Sequence, residues 1–78
     1  MQKTLKMLRN EKGLTQDQAA KILTITPIYL SMLETGDRNP SDMLKIKMAK
    51  LYKCNIADIF LAISSTKRLK KEETWKQD

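Results

Sequence analysis

The sequence predicts an all-α fold, a compact five-helix bundle followed by a charged C-terminal tail. Hydrophobic residues make up 41% of the chain and aromatic residues only 5%, and most of the remainder are good helix formers. Apolar residues recur at helical spacing, and residues typical of helix starts and ends separate these segments. With 78 residues, the chain has room for one small domain.

The first two helices are bounded by a glycine and a capping box. The first is predicted over residues 3–12, with leucines on one stripe, and Gly13 supplies a residue that tolerates a left-handed helix end. Thr15 and Gln18 have the spacing of a capping box, in which each side chain accepts from the other's backbone N–H. The second helix therefore starts at this point. Its apolar side consists of Ala19, Ala20 and Leu23.

The other three helices have equally clear starts. Thr26 is a capping residue, and Pro27 suits the first position of a third helix that ends at Gly36. Ser41 caps a fourth helix. Asn55, with an aspartate three residues further on, marks the start of a fifth.

The composition changes at residue 62, which divides the chain into a helical domain, residues 1–61, and a charged tail, residues 62–78. A polar run over residues 64–66 opens the tail, and after it only Leu69 and Trp75 are apolar. Such a segment has no continuous apolar stripe to hold it on a core. The sequence leaves open whether it forms a surface helix or is disordered.

The formal net charge of +6 favours a polyanionic partner such as nucleic acid. Histidine is absent and Cys54 is the one cysteine, so we expect no metal site, no cofactor and no internal disulfide. Paired catalytic groups and a phosphate-binding glycine loop are also missing, which argues against an enzyme. Without an apolar run of membrane-spanning length or a signal-peptide layout, we expect a cytoplasmic protein that is not attached to a membrane.

Residues 15–36 read as two short helices around a three-residue turn, the helix-turn-helix pattern. This stretch and its flanks resemble the phage repressor and Cro family (XRE family) of helix-turn-helix regulators, whose domain is the lambda repressor-like DNA-binding domain. The resemblance extends from Met1 to about Leu61. The positions that carry it are Gly13-Leu14-Thr15-Gln16, Ala20, Ile25, Leu33-Glu34, Gly36, Arg38-Asn39-Pro40-Ser41 and Asp58-Ile59-Phe60.

The pattern predicts that the third helix, about Pro27–Glu34, lies in the major groove of duplex DNA and that the second helix starts near the sugar-phosphate backbone. Backbone donors at that start can meet a phosphate, and Gln16 adds a neutral side-chain donor, a role that the resemblance also implies. The outward positions of the third helix are Pro27, Ile28, Tyr29, Ser31 and Met32. The resemblance further implies backbone contacts by Thr35, Arg38 and Asn39.

The sequence departs from the family at the positions that read bases. Family members commonly have polar residues where this chain has Pro27, Ile28 and Met32. Apolar side chains pack on thymine methyl groups but make no bidentate hydrogen bonds to bases, so we expect weaker or thymine-biased direct readout. A second departure is Thr24, where the family often has glycine. Either the turn geometry differs from that of the family, or packing overrides the cost of holding a β-branched residue in the left-handed conformation, on the order of 1 kcal/mol.

The resemblance also implies an ion pair between Arg9 and Glu34, joining the first and third helices. The alternative is a solvated pair that contributes little to stability. Near the end of the domain there is more apolar surface than one short helix can bury, which indicates either a dimer interface or packing on the first helix. The residues of this predicted interface are Ile56, Ile59, Phe60 and Ile63.

Together these features predict a sequence-specific transcriptional regulator, a repressor that binds a palindromic operator in double-stranded DNA as a homodimer. The rival hypothesis is a protein-interaction module, such as an antitoxin or antirepressor, that grips a protein partner through its apolar surface. Ile28 and Met32 favour this rival, whereas Gln16, Arg38 and the net charge favour DNA.

Overall fold

The computed structural model describes residues 3–68, and this part of the chain folds into five α-helices, which confirms the all-α prediction. The helices are connected by short turns. Their bounds are α1, Leu5–Glu11; α2, Gln16–Leu23; α3, Pro27–Thr35; α4, Asp42–Leu51; and α5, Ile56–Arg68.

The helix starts follow the capping chemistry of the sequence. Thr15 Oγ1 accepts from the Gln18 N–H at 3.1 Å, and Gln18 Oε1 accepts from the Thr15 N–H at 2.9 Å, so the predicted capping box is complete. Thr26 caps α3 with Pro27 in its first turn, and Ser41 caps α4. The α2–α3 pair is therefore positioned by local hydrogen bonds on both sides of its turn.

The helices pack around one apolar core. α2 lies against α3 and α4, α1 against α3 and α5, and α4 against α5. Alanines on α2 let the neighbouring helices approach closely, and leucines of α1, α2 and α3 fill the centre. The buried apolar residues are Leu5, Leu8, Ala19, Ala20, Leu23, Leu30, Leu33, Leu44, Met48, Ala49, Tyr52, Ile59 and Ala62.

The last helix is longer than the predicted domain. α5 continues through the polar run to Arg68, past the predicted domain boundary at residue 61, so residues 62–68 take the helical alternative that the sequence left open. Ala62 and Thr66 are each 1% exposed, and Thr66 Oγ1 accepts a hydrogen bond from the buried N–H of Leu5 at 3.1 Å. This tertiary partner outweighs the modest helix propensity of the Ser and Thr residues. Leu69 and Trp75 lie outside the described residues.

Ile59 does not belong to the predicted dimer interface, because it is fully buried in the core of its own protomer. α5 carries two stripes at helical spacing. Ile59 and Ala62 face inward, whereas Ile56 and Phe60 are 39% and 51% exposed. Ile63 is half-buried and packs against the core. The prediction grouped both stripes because the sequence does not say which side of α5 meets α1 and α4.

The turn between α2 and α3 keeps left-handed geometry at Thr24, where φ is 65° and ψ is 43°. The Thr24 N–H donates to Ala20 O and Lys21 O, and the next N–H, of Ile25, donates to Ala20 O at 2.9 Å. These backbone hydrogen bonds, with Ile25 packed against the core, hold the turn despite the steric cost of a β-branched residue in this conformation. The strain is local, because Thr24 itself is exposed.

Replacing Thr24 with glycine is expected to raise the free energy of unfolding by about 0.5–1 kcal/mol, because glycine removes the left-handed clash while adding backbone entropy to the unfolded chain. Urea denaturation measures this difference. The control is Lys21→Gly, an exposed position inside α2, where the same residue should lower stability by about 1 kcal/mol. A loss of stability in both variants would mean that Thr24 is not strained.

Candidate nucleic-acid interface

The α2–α3 unit presents one face of α3 away from the core. Ala19 and Ala20 are fully buried, which allows close contact between the helices. Ile25, in the turn, packs against the core and anchors the entry to α3. Leu30 and Leu33 hold the inner side of α3. The remaining positions of this short helix are available to a ligand along its outer side.

The outer side of α3 is apolar at its start and mixed further on. Ile28 is 70% exposed, and Pro27 beside it is also exposed. Ser31 and Met32 are half-buried and lie further along the helix. These four residues form the face on which the sequence placed base contacts. We call them, with the part of Tyr29 that is not buried, the α3 outer face.

Tyr29 is less available than the sequence suggested. It is half-buried and packs against the core, so only part of the side chain belongs to the α3 outer face. Its backbone N–H donates to the capping hydroxyl of Thr26 at 3.0 Å. The sequence could not distinguish Tyr29 from the exposed positions of α3, because an aromatic side chain in the first turn of a helix can pack on the core or face the solvent.

The turn after α3 places two polar residues at the far end of the same surface. The N–H groups of Asp37 and Arg38 both donate to Met32 O, at 2.9 and 3.2 Å, which ties the turn to the end of α3. Arg38 and Asn39 are exposed. Thr35 is exposed too, and its hydroxyl lies 3.0 Å from an Asp37 carboxylate oxygen. Arg38 is therefore an exposed basic residue just beyond the end of the α3 outer face.

Arg9 and Glu34 form a buried pair and not a solvated one. Arg9 Nε donates to Glu34 Oε2 at 2.7 Å and Arg9 Nη2 to Glu34 Oε1 at 3.1 Å, a bidentate arrangement. Their side chains are 7% and 3% exposed. Arg9 Nη1 also donates to the carbonyl oxygen of Leu14 at 2.8 Å. The pair thus joins α1, the α1–α2 turn and α3.

Gln16 completes this network through a hydrogen bond to Glu34. Gln16 Nε2 donates to Glu34 Oε1 at 2.9 Å, and the residue is half-buried at the first position of α2. The capping box satisfies the Thr15 and Gln18 N–H groups, and the N–H groups of Gln16 and Asp17 remain as first-turn donors. The contact joins residues 18 positions apart, a relation with no local signature in the sequence.

Tyr52 lies in the core near the same ion pair. The side chain is 1% exposed, and within residues 3–68 its hydroxyl has no hydrogen-bond partner. Burial raises the pKa of Tyr52 to about 12, with a further contribution from the negative charge of Glu34. The phenol is therefore a neutral, buried group that fills space beneath the ion pair.

A cleft of about 390 Å³ lies between α1 and the α4–α5 turn, away from the α3 outer face, and Lys12, Cys54 and Asp58 are among its lining residues. Burial raises the pKa of the Cys54 thiol, so it stays protonated and is not an activated nucleophile.

Within residues 3–68, no three His, Cys, Asp or Glu side chains are grouped to hold a metal ion. No helix in this range is long and apolar enough to cross a membrane.

Two short helices around a tight turn, with the second presenting an exposed face beside a basic turn, define a helix-turn-helix domain, a class that binds DNA. A sequence profile described as helix-turn-helix matches residues 5–59. The chain belongs to this family, the Cro or XRE type of helix-turn-helix transcriptional regulators. As the resemblance implied, the chain is a member of a family of DNA-binding regulators. That family is not typically enzymatic.

Relatives and one solved structure agree with this assignment. A Bacillus subtilis protein named as an uncharacterized HTH-type transcriptional regulator, YqaF, is 42% identical over 50 residues, which cover 64% of this chain and 66% of that protein. An uncharacterized HTH-type transcriptional regulator of Archaeoglobus fulgidus is 30% identical over 77 residues, 99% of both chains. The crystal structure of the clp gene regulator ClgR from Corynebacterium glutamicum aligns with a TM-score of 0.70 at 26% identity, covering 88% of this chain and 73% of that one.

Proposed function

We propose that this protein is a sequence-specific transcriptional repressor that binds a palindromic operator as a homodimer in the cytoplasm, with α3 in the major groove. The observation that carries the proposal is the α3 outer face, where Ile28 is 70% exposed, together with two candidate phosphate-binding residues nearby, Gln16 at the start of α2 and exposed Arg38 after the end of α3. A groove-reading helix needs phosphate contacts on both sides to fix its register. A domain bound in this way at a promoter blocks access to that promoter.

The charge distribution supports a duplex as the partner. The chain carries a net charge of +6, which attracts the phosphate backbone at long range. Arg38 supplies a local positive charge at the end of the α3 outer face, with Asn39 exposed next to it. At the start of α2, the first-turn N–H groups of Gln16 and Asp17 are further candidate donors to a phosphate, since a helix N-terminus favours an anion.

The proposed readout depends on apolar contacts. Ile28 is exposed at the first turn of α3, where residues of a recognition helix reach base edges. An isoleucine there packs on a thymine methyl group, whereas it offers no donor to guanine or adenine. We therefore propose thymine-biased recognition at the base pairs beneath Ile28 and Met32, with sequence-dependent DNA shape adding selectivity elsewhere.

Selection from a random pool of duplex DNA at moderate salt, followed by sequencing of the retained duplexes, tests the proposal. A two-fold symmetric motif with conserved thymines in each half is the expected result. Retention without sequence enrichment would contradict specific binding. Replacing Ile28 with alanine should change the enriched bases without changing the salt dependence, since groove contacts release no counterions.

Replacing Arg38 with alanine is expected to weaken binding to all duplexes and to reduce the slope of log K against log salt by about one unit, because one phosphate contact is lost. Fluorescence anisotropy at several salt concentrations measures the slope. The matched control is Lys50→Ala, which removes an exposed charge in the last turn of α4, outside the proposed contact surface. Equal slopes for the Arg38 variant and the wild type would place Arg38 off the DNA backbone.

The homodimer is proposed to form through the exposed stripe of α5 and its neighbourhood on α4. Ile56 and Phe60 are exposed on α5, and Met43 and Ile46 on α4 are 65% and 46% exposed. Lys45 Nζ lies 4.7 Å from the centroid of the Phe60 ring, which places α4 beside the stripe. Exposed apolar side chains grouped in this way favour a partner surface.

Replacing Phe60 with glutamate is expected to give a folded monomer with at least tenfold weaker affinity for a symmetric operator, because burying an unpaired charge at an apolar interface is unfavourable. Analytical ultracentrifugation measures the oligomeric state. Ile22→Glu, at an isoleucine 57% exposed on α2, introduces the same charge outside the stripe and should leave the dimer intact. A wild-type protein that is monomeric at all concentrations would exclude the dimer.

One observation favours the rival function, a protein-interaction module such as an antitoxin or antirepressor. An isoleucine 70% exposed at the start of the α3 outer face suits a protein surface as well as a thymine methyl group. The duplex selection separates the two functions. A protein that retains no duplex, while an Ile28-dependent protein partner is identified, would support the interaction module.

A further inference from the structure

Glu34 connects the interior of the domain to the start of α2. Its Oε1 accepts from Arg9 Nη2 at 3.1 Å and from Gln16 Nε2 at 2.9 Å, while its Oε2 accepts from Arg9 Nε at 2.7 Å. The Glu34 side chain is 3% exposed, and Gln16 is half-buried. The Gln16 amide therefore stands between the buried carboxylate and the surface where α2 begins.

This contact fixes the orientation of the Gln16 amide. An ionised carboxylate has no donor, so Gln16 must turn its nitrogen, and not its oxygen, toward Glu34. One Nε2–H is used in this bond, and the second Nε2–H remains for an external acceptor. An unrestrained glutamine loses considerable rotamer freedom on binding, whereas a glutamine that is already held loses less. Arg9 also neutralises the carboxylate, which lowers its repulsion of an approaching phosphate.

We infer that Glu34 is a positioning residue for duplex binding, which holds the Gln16 amide so that its free N–H donates to a phosphate oxygen. The inference rests on the proposed DNA-binding function and deepens it. The buried ion pair then contributes to DNA affinity as well as to stability. Because Gln16 is uncharged, its contact adds affinity through a hydrogen bond and leaves the number of released counterions unchanged.

A double-mutant cycle with Gln16→Ala and Glu34→Gln tests this role. In Glu34→Gln the new amide keeps its oxygen on Arg9 Nε and turns its NH₂ toward Gln16, whose own NH₂ must then turn away, and Arg9 Nη2 loses its acceptor. Each single variant is expected to bind the selected duplex about tenfold more weakly, with an unchanged salt slope. The double variant should bind no more weakly than either single variant. Urea denaturation of each variant checks that it stays folded under the binding conditions, so that a loss of affinity is not a loss of folded protein.

Additive losses of affinity, about a hundredfold in the double variant, would overturn the inference and leave Glu34 a purely structural residue. If Glu34→Gln does not fold, the cycle is run with Arg9→Met and Glu34→Leu together, which removes the carboxylate without leaving a lone buried charge. That pair should also weaken binding about tenfold, with no further loss on adding Gln16→Ala.

The wild-type protein supplies an independent measurement. The side-chain NH₂ of Gln16 should have an NMR order parameter close to that of rigid backbone, about 0.85. A freely rotating amide would overturn the inference even if every variant lost affinity. A wild-type protein with no affinity for duplexes would instead overturn the proposed function itself, and additive losses with binding intact would overturn only the role of Glu34.

Discussion

Replacing Arg9 alone with methionine is expected to lower the free energy of unfolding by about 3–5 kcal/mol, because it leaves the Glu34 carboxylate buried without its partner. The Leu14 carbonyl also loses the guanidinium donor. For a domain of this size, the loss is comparable with the whole stability, about 0.05–0.15 kcal/mol per residue. Urea denaturation monitored by circular dichroism measures the change.

The control for Arg9 is the removal of both charges together. The double variant Arg9→Met with Glu34→Leu buries apolar side chains in place of the pair and should regain most of the stability that Arg9→Met loses. A small effect of Arg9→Met, below about 1 kcal/mol, would mean that water reaches the pair and that it behaves like an exposed one.

Truncation after Ala62 is expected to destabilise the domain by about 2–4 kcal/mol, since the removed segment contains half-buried Ile63 and the buried Thr66. The Leu5 N–H would then lie at the start of α1 without the Thr66 acceptor. Thermal unfolding of the truncated and complete chains measures the loss. An unchanged unfolding curve would show that the last turns of α5 contribute nothing.

Point variants separate the hydrogen bond from the rest of the segment. Thr66→Val keeps the shape but removes the acceptor, and should lower the free energy of unfolding by about 1–3 kcal/mol. Thr66→Ser keeps the hydroxyl and loses one methyl group, with an expected loss of about 1 kcal/mol. Equal losses in the two variants would mean that packing, and not the hydrogen bond, holds Thr66.

The helix starts could be predicted because their chemistry is local. Thr15 with Gln18 and Thr26 with Pro27 sit within a few residues of the groups that they satisfy. The same holds for α5, where the Asn55 and Asp58 side chains each accept from the other's backbone N–H. In these cases the spacing between two nearby residues was enough to predict where the helix begins. The start of α1 was placed at residue 3, whereas Thr4 is the cap.

The errors concern relations across the fold. The end of α5 depends on Leu5 and Thr66, which are 61 residues apart, and the inward stripe through Ile59 depends on where α1 and α4 lie. Neither the end of α5 nor its inward stripe can be predicted without the tertiary arrangement of the helices. The contact between Gln16 and Glu34 is of the same kind, because the sequence suggested a role for each residue but no hydrogen bond between them.

The hydrogen bond between the Leu5 N–H and Thr66 Oγ1 also has a consequence for the order of folding. Leu5 and Thr66 are 61 residues apart, so most of the domain's sequence lies between them. Bringing these two residues together therefore has a larger entropic cost than forming the contacts among α1, α2 and α3. We therefore expect the docking of α5 on α1 to form late during folding and to open before the rest of the domain. Since Leu5 is otherwise buried, hydrogen exchange at its amide reports that partial opening separately from global unfolding.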